Sequence, residues 1–388
     1  MKHPKVLVPD AGNRAALAVV RSLGRHGVPV VAGVSSRWAL GGASRYAVVT
    51  RHPDPRTDPD GFARAVAGCV RDLGIGAIMP TSDTATYALL ARLDELPSGA
   101  RLVAPDPSSL AIAHDKAALV ELAAKVGVPV PDGFVTSGDP SDDPRLDSLG
   151  FPVILKPSAS RFFEGGVWHG ATVRVAEDRR QIREICRERG FENRSFLVQR
   201  RVPGEGRGLF ALASKGNVSA VFAHRRLREK PPWGGVSTLC ESAEPEPELR
   251  DYAERLLSAL GWTGVAMVEF KWDPSSRRGW LMEINGRFWG SLQLAVASGV
   301  DFPWLAYRQE VLGEAIETMC PSKRVRLWWI LGDMDQAFIR LSRGGFREIP
   351  ELLRDLAKTR GGAQLDLDTW AWNDPLPLLY ELAERFSP

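Results

Sequence analysis

The feature that most constrains this chain is an alternation in its first 110 residues. Short runs rich in β-branched residues at 6–8, 28–34, 46–50, 77–79 and 102–104 exchange there with helical patterns at 14–23, 62–73 and 84–93. Strands that recur after a helical crossover pair in parallel, so the stretch predicts βαβ units around an open parallel sheet. The turn after the first strand, Asp10-Ala11-Gly12-Asn13, holds one glycine where a dinucleotide-binding turn needs three, which argues against a nicotinamide cofactor.

At 388 residues the chain exceeds what one small core can serve, and two or three packed units are expected. Asp115 opens a helix with Leu119, Leu122, Ala123 and Val126 on one face, and Gly127 followed by Val128-Pro129-Val130-Pro131 ends it. A new unit therefore begins near Asp115. A polar turn cluster at 138–144 precedes a buried-strand pattern at 151–155. Further strands are predicted at 196–199, 210–213 and 219–223, with a helix at 249–260. Beyond residue 321 the pattern is Leu- and Trp-rich and helical. Trp328, Trp329, Trp370 and Trp372 are expected in a helical core, and the run Asp374-Pro375-Leu376-Pro377 reads as a loop.

A net charge of +3 provides no single-sign field that would favour nucleic acid or an anionic membrane. Cys69, Cys186, Cys240 and Cys320 lie far apart, as expected of a reducing compartment. The first apolar stretch is cut by Pro9, Asp10 and Asn13, so no signal-peptide core forms, and no 18-residue apolar run occurs. A cytoplasmic protein is expected.

The most informative chemistry lies in a predicted hairpin, 264–272 and 280–285, around the turn Asp273 to Gly279. Symmetric pairing about Ser276 sets Glu269 opposite Glu283. Alternation then assigns Val268, Phe270, Trp272, Trp280, Met282 and Ile284 to the core face. The other face gathers Glu269, Lys271, Glu283 and Asn285, with Arg287 just past the strand. Facing carboxylates repel, and a bound cation converts that cost into affinity. Two carboxylates and an amide oxygen form an oxygen-only set suited to Mg²⁺, whereas a solvated ion-pair face with Lys271 and Arg287 is the plain alternative.

Lysine is scarce, with 10 against 40 arginines, yet Lys156 closes the buried strand Phe151-Pro152-Val153-Ile154-Leu155. It precedes a loop, 158–166, whose glycines could admit phosphate oxygens to the backbone. The basic run from His224 to Ser237 could meet a substrate carboxylate or an acyl phosphate through a guanidinium fork, or could be a solvated loop. His169 reads as a surface or packing residue, and Asp83 as the N-cap of the helix that begins at Thr84.

Four segments occur in order: Phe151 to Pro157, Val198-Gln199-Arg200-Arg201-Val202-Pro203-Gly204-Glu205, Gly264 to Phe270, and Leu281-Met282-Glu283-Ile284-Asn285-Gly286-Arg287. Together they resemble the ATP-grasp superfamily, in particular its carbamoyl-phosphate-synthase-like branch containing carboxylate–amine ligases. The resemblance covers about residues 5–312. It implies an α/β protein of ATP-grasp fold with three parts. These are an N-terminal open parallel-sheet (pre-ATP-grasp) domain at 1–112, an ATP-grasp domain at 113–320 and a helical C-terminal extension at 321–388. The middle part would divide into a lid subdomain at about 130–195 and a metal and nucleotide subdomain at about 196–320.

The resemblance further implies that Lys116 and Lys156 bind ATP phosphates beneath the 158–166 loop. Gln199, Arg201 and Val202 would line the adenine edge, and Glu205 would hold the ribose. Glu269, Glu283 and Asn285 would ligate one or two Mg²⁺, with Mn²⁺ as a substitute, and Arg287 would touch the transferred phosphoryl group. Arg226 joins Lys156 and Arg287 as a catalytic candidate. Arg200 stands where the family usually has an acid, and the loop has fewer glycines than expected. The implied activity is an ADP-forming ligation of a small carboxylate to an amine through an acyl phosphate, with no nucleic-acid or membrane partner and a homodimer as an option. The alternatives are a thiol, hydroxyl, carrier-bound or bicarbonate acceptor, or a nucleotide-binding protein without turnover.

Overall fold

The computed structural model describes residues 3–159, 161–232, 235–359 and 361–386. Strands β1 (Lys5–Val8), β2 (Val30–Val34), β3 (Ala47–Arg51), β4 (Ile75–Ile78) and β5 (Arg101–Leu102) alternate with helices α1 (Arg14–Arg25), α2 (Pro59–Leu73) and α3 (Asp83–Leu90). Their order is β3-β2-β1-β4-β5 and every pairing is parallel, as the alternation predicts. The central strand is apolar from Val6 to Val8 because both faces are covered there. Val6 and Val8 pack into the core shared with α1, while Leu7 packs into the one shared with α2 and α3.

Helices α4 (Pro107–His114) and α5 (Lys116–Lys125) lead out of this sheet. Asp115 joins them, and its side chain accepts from the backbone N–H groups of Ala117 and Ala118, so the first residue of the new helix is Lys116. A small lid follows: β6 (Gly133–Thr136), α6 (Arg145–Leu149), β7 (Val153–Pro157), β8 (Arg161–Glu164), β9 (Val167–Gly170), β10 (Arg174–Ala176), α7 (Arg179–Cys186) and β11 (Phe196–Arg200). Four of its strands form an antiparallel sheet, β10-β7-β11-β6, over a core that includes Leu146, Val153, Leu155, Ile182 and Phe196.

The 158–166 segment is not an open phosphate-cradling loop. It enters the hairpin β8–β9, with Gly165 and Gly166 at its tip at φ of 60° and 82°. Two consecutive positive φ values are the backbone of a tight hairpin turn, and that requirement accounts for the glycines. Ser160 lies outside the described residues.

The rest of the chain builds the main sheet from β12 (Glu205–Ser214), β13 (Asn217–Lys230), β14 (Val236–Ala243), β15 (Gly264–Asp273), β16 (Arg278–Asn285), β17 (Val325–Trp328) and β18 (Gln364–Leu367). Its helices are α8 (Pro247–Ala259), α9 (Leu292–Ala297), α10 (Phe302–Glu310), α11 (Ile330–Gly344), α12 (Ile349–Ala357) and α13 (Leu376–Phe386). The strand order is β16-β15-β12-β13-β14-β17-β18. On one face α8 supplies Leu249, Ala253, Leu256 and Leu257 to a core with Val268, Phe270 and Trp272. On the other, α9 and α10 continue the core of the N-terminal sheet. Among the described residues no helix is long and apolar enough to cross a membrane.

Three readings of the sequence are corrected here. The basic run is not a solvated loop, because β13 runs through it to Lys230 and spends its cations on separate partners. Arg225 bonds to Glu241, Arg228 makes a two-pronged contact with Asp333, and Lys230 reaches Asp335; Trp233 and Gly234 lie outside the described residues. The C-terminal segment carries the expected helices but also two strands, β17 and β18, that extend the main sheet. Trp372 is not core: it is 90% exposed on the connection between β18 and α13. Asp368, Thr369 and Asp374 are buried on that connection, and Asp374 accepts from Arg21 Nε at 2.9 Å, Ser44 Oγ at 2.7 Å and the Arg45 backbone at 2.9 Å. The Asp-Pro-Leu-Pro run therefore docks the C-terminal segment onto α1.

Candidate functional site

The β15–β16 hairpin sets Glu269 directly opposite Glu283, as symmetric pairing requires. Beyond that pair the register shifts by one residue, so Phe270 faces Leu281 and Lys271 faces Trp280. The extra residue is Met282, and a β-bulge reverses the alternation on the bulged strand. Leu281 consequently enters the core with Val268, Phe270 and Ile284, whereas Trp280 shares the Lys271 face. Trp280 is nonetheless buried, whereas Met282 is half-buried with its sulfur 3.4 Å from Lys156 Nζ. The bulge turns one expected core side chain, Met282, toward the lid.

Cations converge on the two glutamates from separate elements. Arg226 on β13 donates to Glu269 at 3.0 Å and to Glu229 at 3.2 Å. Lys156, at the end of β7, enters from the lid. Arg287, past the end of β16, donates from Nε to Asp83 at 3.0 Å and so ties the main sheet to the first turn of α3. Asp83 is therefore not the cap of that helix. Ser82 caps it by accepting from the Ala85 N–H, which leaves the Asp83 carboxylate for the arginine.

The electrostatics follow from burial. Desolvation pulls Lys156 down to about 8, against the opposing pull of Glu283 and with help from neighbouring Lys116. Desolvation also lowers Lys116, again against Glu283, and it lowers His114. It raises the Glu269 carboxyl, with Arg226 opposing and Glu283 reinforcing the rise. The cluster is thus held under strain in its charge states, with cations that shed protons readily beside an acid that is reluctant to ionise. Highly charged phosphates and a metal cation would relieve both.

A cavity of about 120 Å³ lies at this point, lined by Lys116, His114, Asp83, Glu283, Asn285 and Arg161, among others. It is smaller than the roughly 300 Å³ at the low end of small-molecule sites, so it has room for one end of a nucleotide. Trp168 of the β8–β9 hairpin stacks on Tyr87 of α3, and its backbone N–H donates to the Arg56 carbonyl at 2.9 Å. The hairpin is therefore closed against the N-terminal sheet. Tyr87, His114 and Trp168 carry no site signal in the sequence beyond His114's place before the Asp115-Lys116 helix start, whereas Asp83 follows the end of a parallel strand, where α/β ligands bind.

The remaining expected residues divide. Gln199 is buried on β11, its Nε2 donates to the Pro131 carbonyl at 3.3 Å, and its Oε1 has no hydrogen-bond partner. A buried acceptor left open in the predicted adenine edge fits a nucleotide amino group. Arg201 is exposed and Val202 half-buried directly after that strand. Glu205 does not join them on the cleft face. It pairs with Trp272, whose side chain is in the α8 core, and it bonds to Arg207, so the register directs it away from the Glu269 face.

Among the described residues no group of three or more His, Cys, Asp or Glu could hold a metal ion. The donors that fit one are Glu269, Glu283 and the amide of Asn285, whose Nδ2 donates to Glu283 Oε1 at 3.1 Å and so leaves its oxygen free of that contact. That donor set suits a hard divalent cation that keeps water or phosphate oxygens in its remaining positions.

Residues 192–330 match the family described as "ATP-grasp in the biosynthetic pathway with Ter operon". The chain carries an ATP-grasp domain. Outside that match, the arginine-specific carbamoyl phosphate synthase large chain of Geobacillus stearothermophilus is 24% identical over 247 residues, 60% of this chain and 22% of that one. The D-alanine–D-alanine ligase of Chromohalobacter salexigens is 26% identical over 212 residues, 51% of this chain and 64% of that one. The chain thus spans less than two thirds of either relative. Among solved structures, biotin carboxylase from Campylobacter jejuni aligns at a TM-score of 0.65 with 16% identity, covering 82% of this chain and 74% of that one. L-amino acid ligase from Bacillus licheniformis aligns at 0.62 with 17% identity, covering 84% and 79%. These two share the fold over more than four fifths of this chain, well beyond the length of the matched segment.

Proposed function

We propose that this ATP-grasp protein joins a carboxylate to an amine, with ATP converted to ADP and phosphate. The observation that carries the reading is the convergence of Lys156, Arg226 and Arg287 on the facing pair Glu269 and Glu283. The cavity there is lined by no cysteine, serine or threonine among the described residues, so it offers no thiol or aliphatic hydroxyl for a covalent step, and the reading assigns its charged side chains to charge and position. The D-alanine–D-alanine ligase relative supports the amine acceptor. The biotin carboxylase fold is shared by an enzyme named for a different reaction, so the acceptor rests on the chemistry below.

In the first step a carboxylate oxygen of the substrate attacks the γ-phosphorus, the bond from that phosphorus to the bridging oxygen breaks, and ADP leaves with the electron pair. Lys156 and Lys116 would hold the phosphate oxygens, and Arg287, fixed by Asp83, would meet the transferred group. Glu269, Glu283 and Asn285 would hold Mg²⁺, which when bound supplies positive charge to the phosphates. In the second step the amine nitrogen attacks the carbonyl carbon, the bond from carbon to the phosphate oxygen breaks, phosphate leaves, and the nitrogen loses one proton. Screening amino acids and small acids for substrate-dependent nucleotide turnover, with mass spectrometry of the product, tests the reading. The spent nucleotide is expected to be ADP, and stoichiometric AMP with pyrophosphate would refute the acyl-phosphate route.

Arg226 gives a separate prediction. It holds Glu269 in the absence of metal, and a guanidinium released from that pair can receive the substrate carboxylate or its acyl phosphate. Arg226→Ala is expected to lower kcat/KM for the carboxylate by about 10²-fold, the scale of one lost charge-stabilising donor, and to change ATP affinity without that substrate much less. Calorimetric ATP titration beside steady-state kinetics reads both, and equal losses would put Arg226 at the nucleotide instead.

A further inference from the structure

Two more cavities continue from the one beside Glu283. A second, of about 250 Å³, shares Asp83 and Arg161 with the first and is also lined by Arg14, Asn13, Ser82 and Arg287. A third, of about 330 Å³, shares Asn13, Ser82 and Arg161 with the second and lies at the carboxyl ends of β1 and β2. Arg161 of the β8–β9 hairpin lines all three. The series leads from the transfer site into the crevice of the parallel sheet, where open α/β sheets take ligands.

The third cavity holds buried acceptors with nothing to accept. Asp10 Oδ1 receives the Thr81 N–H at 2.9 Å and the Thr81 hydroxyl at 3.0 Å, whereas its Oδ2 is buried without a partner. His52 Nδ1 lies 2.7 Å from the Pro53 carbonyl, which can only accept, so Nδ1 carries the proton and Nε2 is left with a bare lone pair, also buried and unpartnered. The third acceptor comes from the C-terminal segment. Tyr380 of α13 packs edge-on against Trp38 at this cavity, and Glu384, one turn further along the same face, lines it. Asp54 is paired with Arg56 at 2.6 Å, which leaves Asp10 and Glu384 as the acids of this cavity without an ion pair among the described residues, with Arg161 as a further cation in its lining.

Resting on the ligase reading above, we propose that the third cavity anchors the far end of the acceptor, and that this end carries a second ammonium group. The acceptor class is a diamino compound, with one nitrogen reacting near Arg287 and the other held by Asp10, His52 Nε2 and Glu384. Burial raises the Asp10 carboxyl despite the opposing hydrogen-bond influence of Ser82 and Thr81, and an ammonium partner would offset that cost. The assignment also gives α13 a task, since it forms one wall of the acceptor site.

The probes are L-lysine and L-norleucine, which share a six-carbon chain and differ at its far end by an ammonium group against a hydrogen. Calorimetry on the full chain with ADP and Mg²⁺ is expected to show lysine binding at least tenfold more tightly. That preference should fall to threefold or less in Asp10→Asn, whose amide oxygen can keep the Thr81 contacts. It should fall partway in Glu384→Gln, an exposed position that tests the same cavity if Asp10→Asn does not fold. Equal binding of the two amino acids, no binding of lysine, or a preference that survives both substitutions overturns the assignment. Nucleotide turnover is followed in parallel. Amine-dependent ADP release without lysine preference removes the anchor and keeps the ligase. An Asp10-dependent lysine preference with no amine-dependent ADP release keeps the anchor and removes the ligase.

Discussion

Lys156→Ala is expected to lower kcat with ATP by about 10² to 10³-fold, the roughly 3 to 4 kcal/mol that one preorganised charge-stabilising donor contributes. The side chain comes from the lid strand β7, and its ammonium group reaches Met282 on the far side of the cleft, so it spans the place where phosphate oxygens would lie. No stability loss should accompany the effect. A lysine held at about 8 against an ordinary 10.5 is less comfortable charged in the folded protein than in the unfolded chain. Between those two values the unfolded chain binds a proton that the folded one has released, so stability without nucleotide rises with pH across that window. The alanine variant should lose that slope. Melting temperatures of both proteins from pH 7.5 to 10, without nucleotide, check the electrostatic part, and parallel curves would return Lys156 to an ordinary solvated strand end. Apparent ATP affinity of the wild type should fall as pH rises through about 8, because the phosphates need the ammonium form.

What was legible in the sequence is what short-range rules determine. Two alternating runs around a polar turn determine that a hairpin forms, but its loop is four residues, 274–277, and Glu269 faces Glu283 only because the extra residue Met282 restores the symmetric register beyond it. The bulge at Met282 was not legible, because the decision to insert one residue depends on the strand's neighbours, and Leu281 is drawn into the core against α8. Glu205 fails for a related reason: its motif position resembles the family, but its register against Trp272 places it on the opposite face. Lys116 was legible only through the family resemblance, and the Asp115 cap explains its place at the helix start. Asp83 was misread because the sequence near a helix start offers two capping candidates, and only the fold brings Arg287, 204 residues away, within reach of the second. The N-terminal sheet was readable from its alternation, whereas β17 and β18 are four residues each and gain their stability from the sheet edge they join. The contacts of Asp374 with Arg21 and Ser44 likewise cross more than three hundred residues.

Glu283→Gln separates a metal-holding pair from a solvated ion-pair face. The side chain faces Glu269 across the ladder, accepts from Asn285 Nδ2, and lies where its charge supports the ammonium groups of both Lys116 and Lys156. Glutamine keeps the shape and an acceptor for Asn285 but removes one ligand charge. Turnover is expected to fall by about 10² to 10³-fold, comparable to removing one preorganised electrostatic group, and the activity that remains should require much higher Mg²⁺ than the wild type does. Sequence reasoning alone gives an unchanged or slightly raised apo stability, because one of two repelling carboxylates is removed. The structure reverses that sign: Lys116, Lys156, Arg226 and Arg287 surround the pair, so the lost charge leaves buried cations less compensated, and a modest fall in melting temperature without nucleotide is expected. Lys156 should also titrate below its wild-type value, because Glu283 is the largest influence holding it up. The decline of ATP affinity with pH should therefore begin at lower pH in this variant. Activity against Mg²⁺ concentration is the deciding measurement. A purely structural role predicts the fall in melting temperature with near-normal turnover at ordinary Mg²⁺, whereas a ligand role predicts that turnover collapses and recovers in part only as the ion is raised.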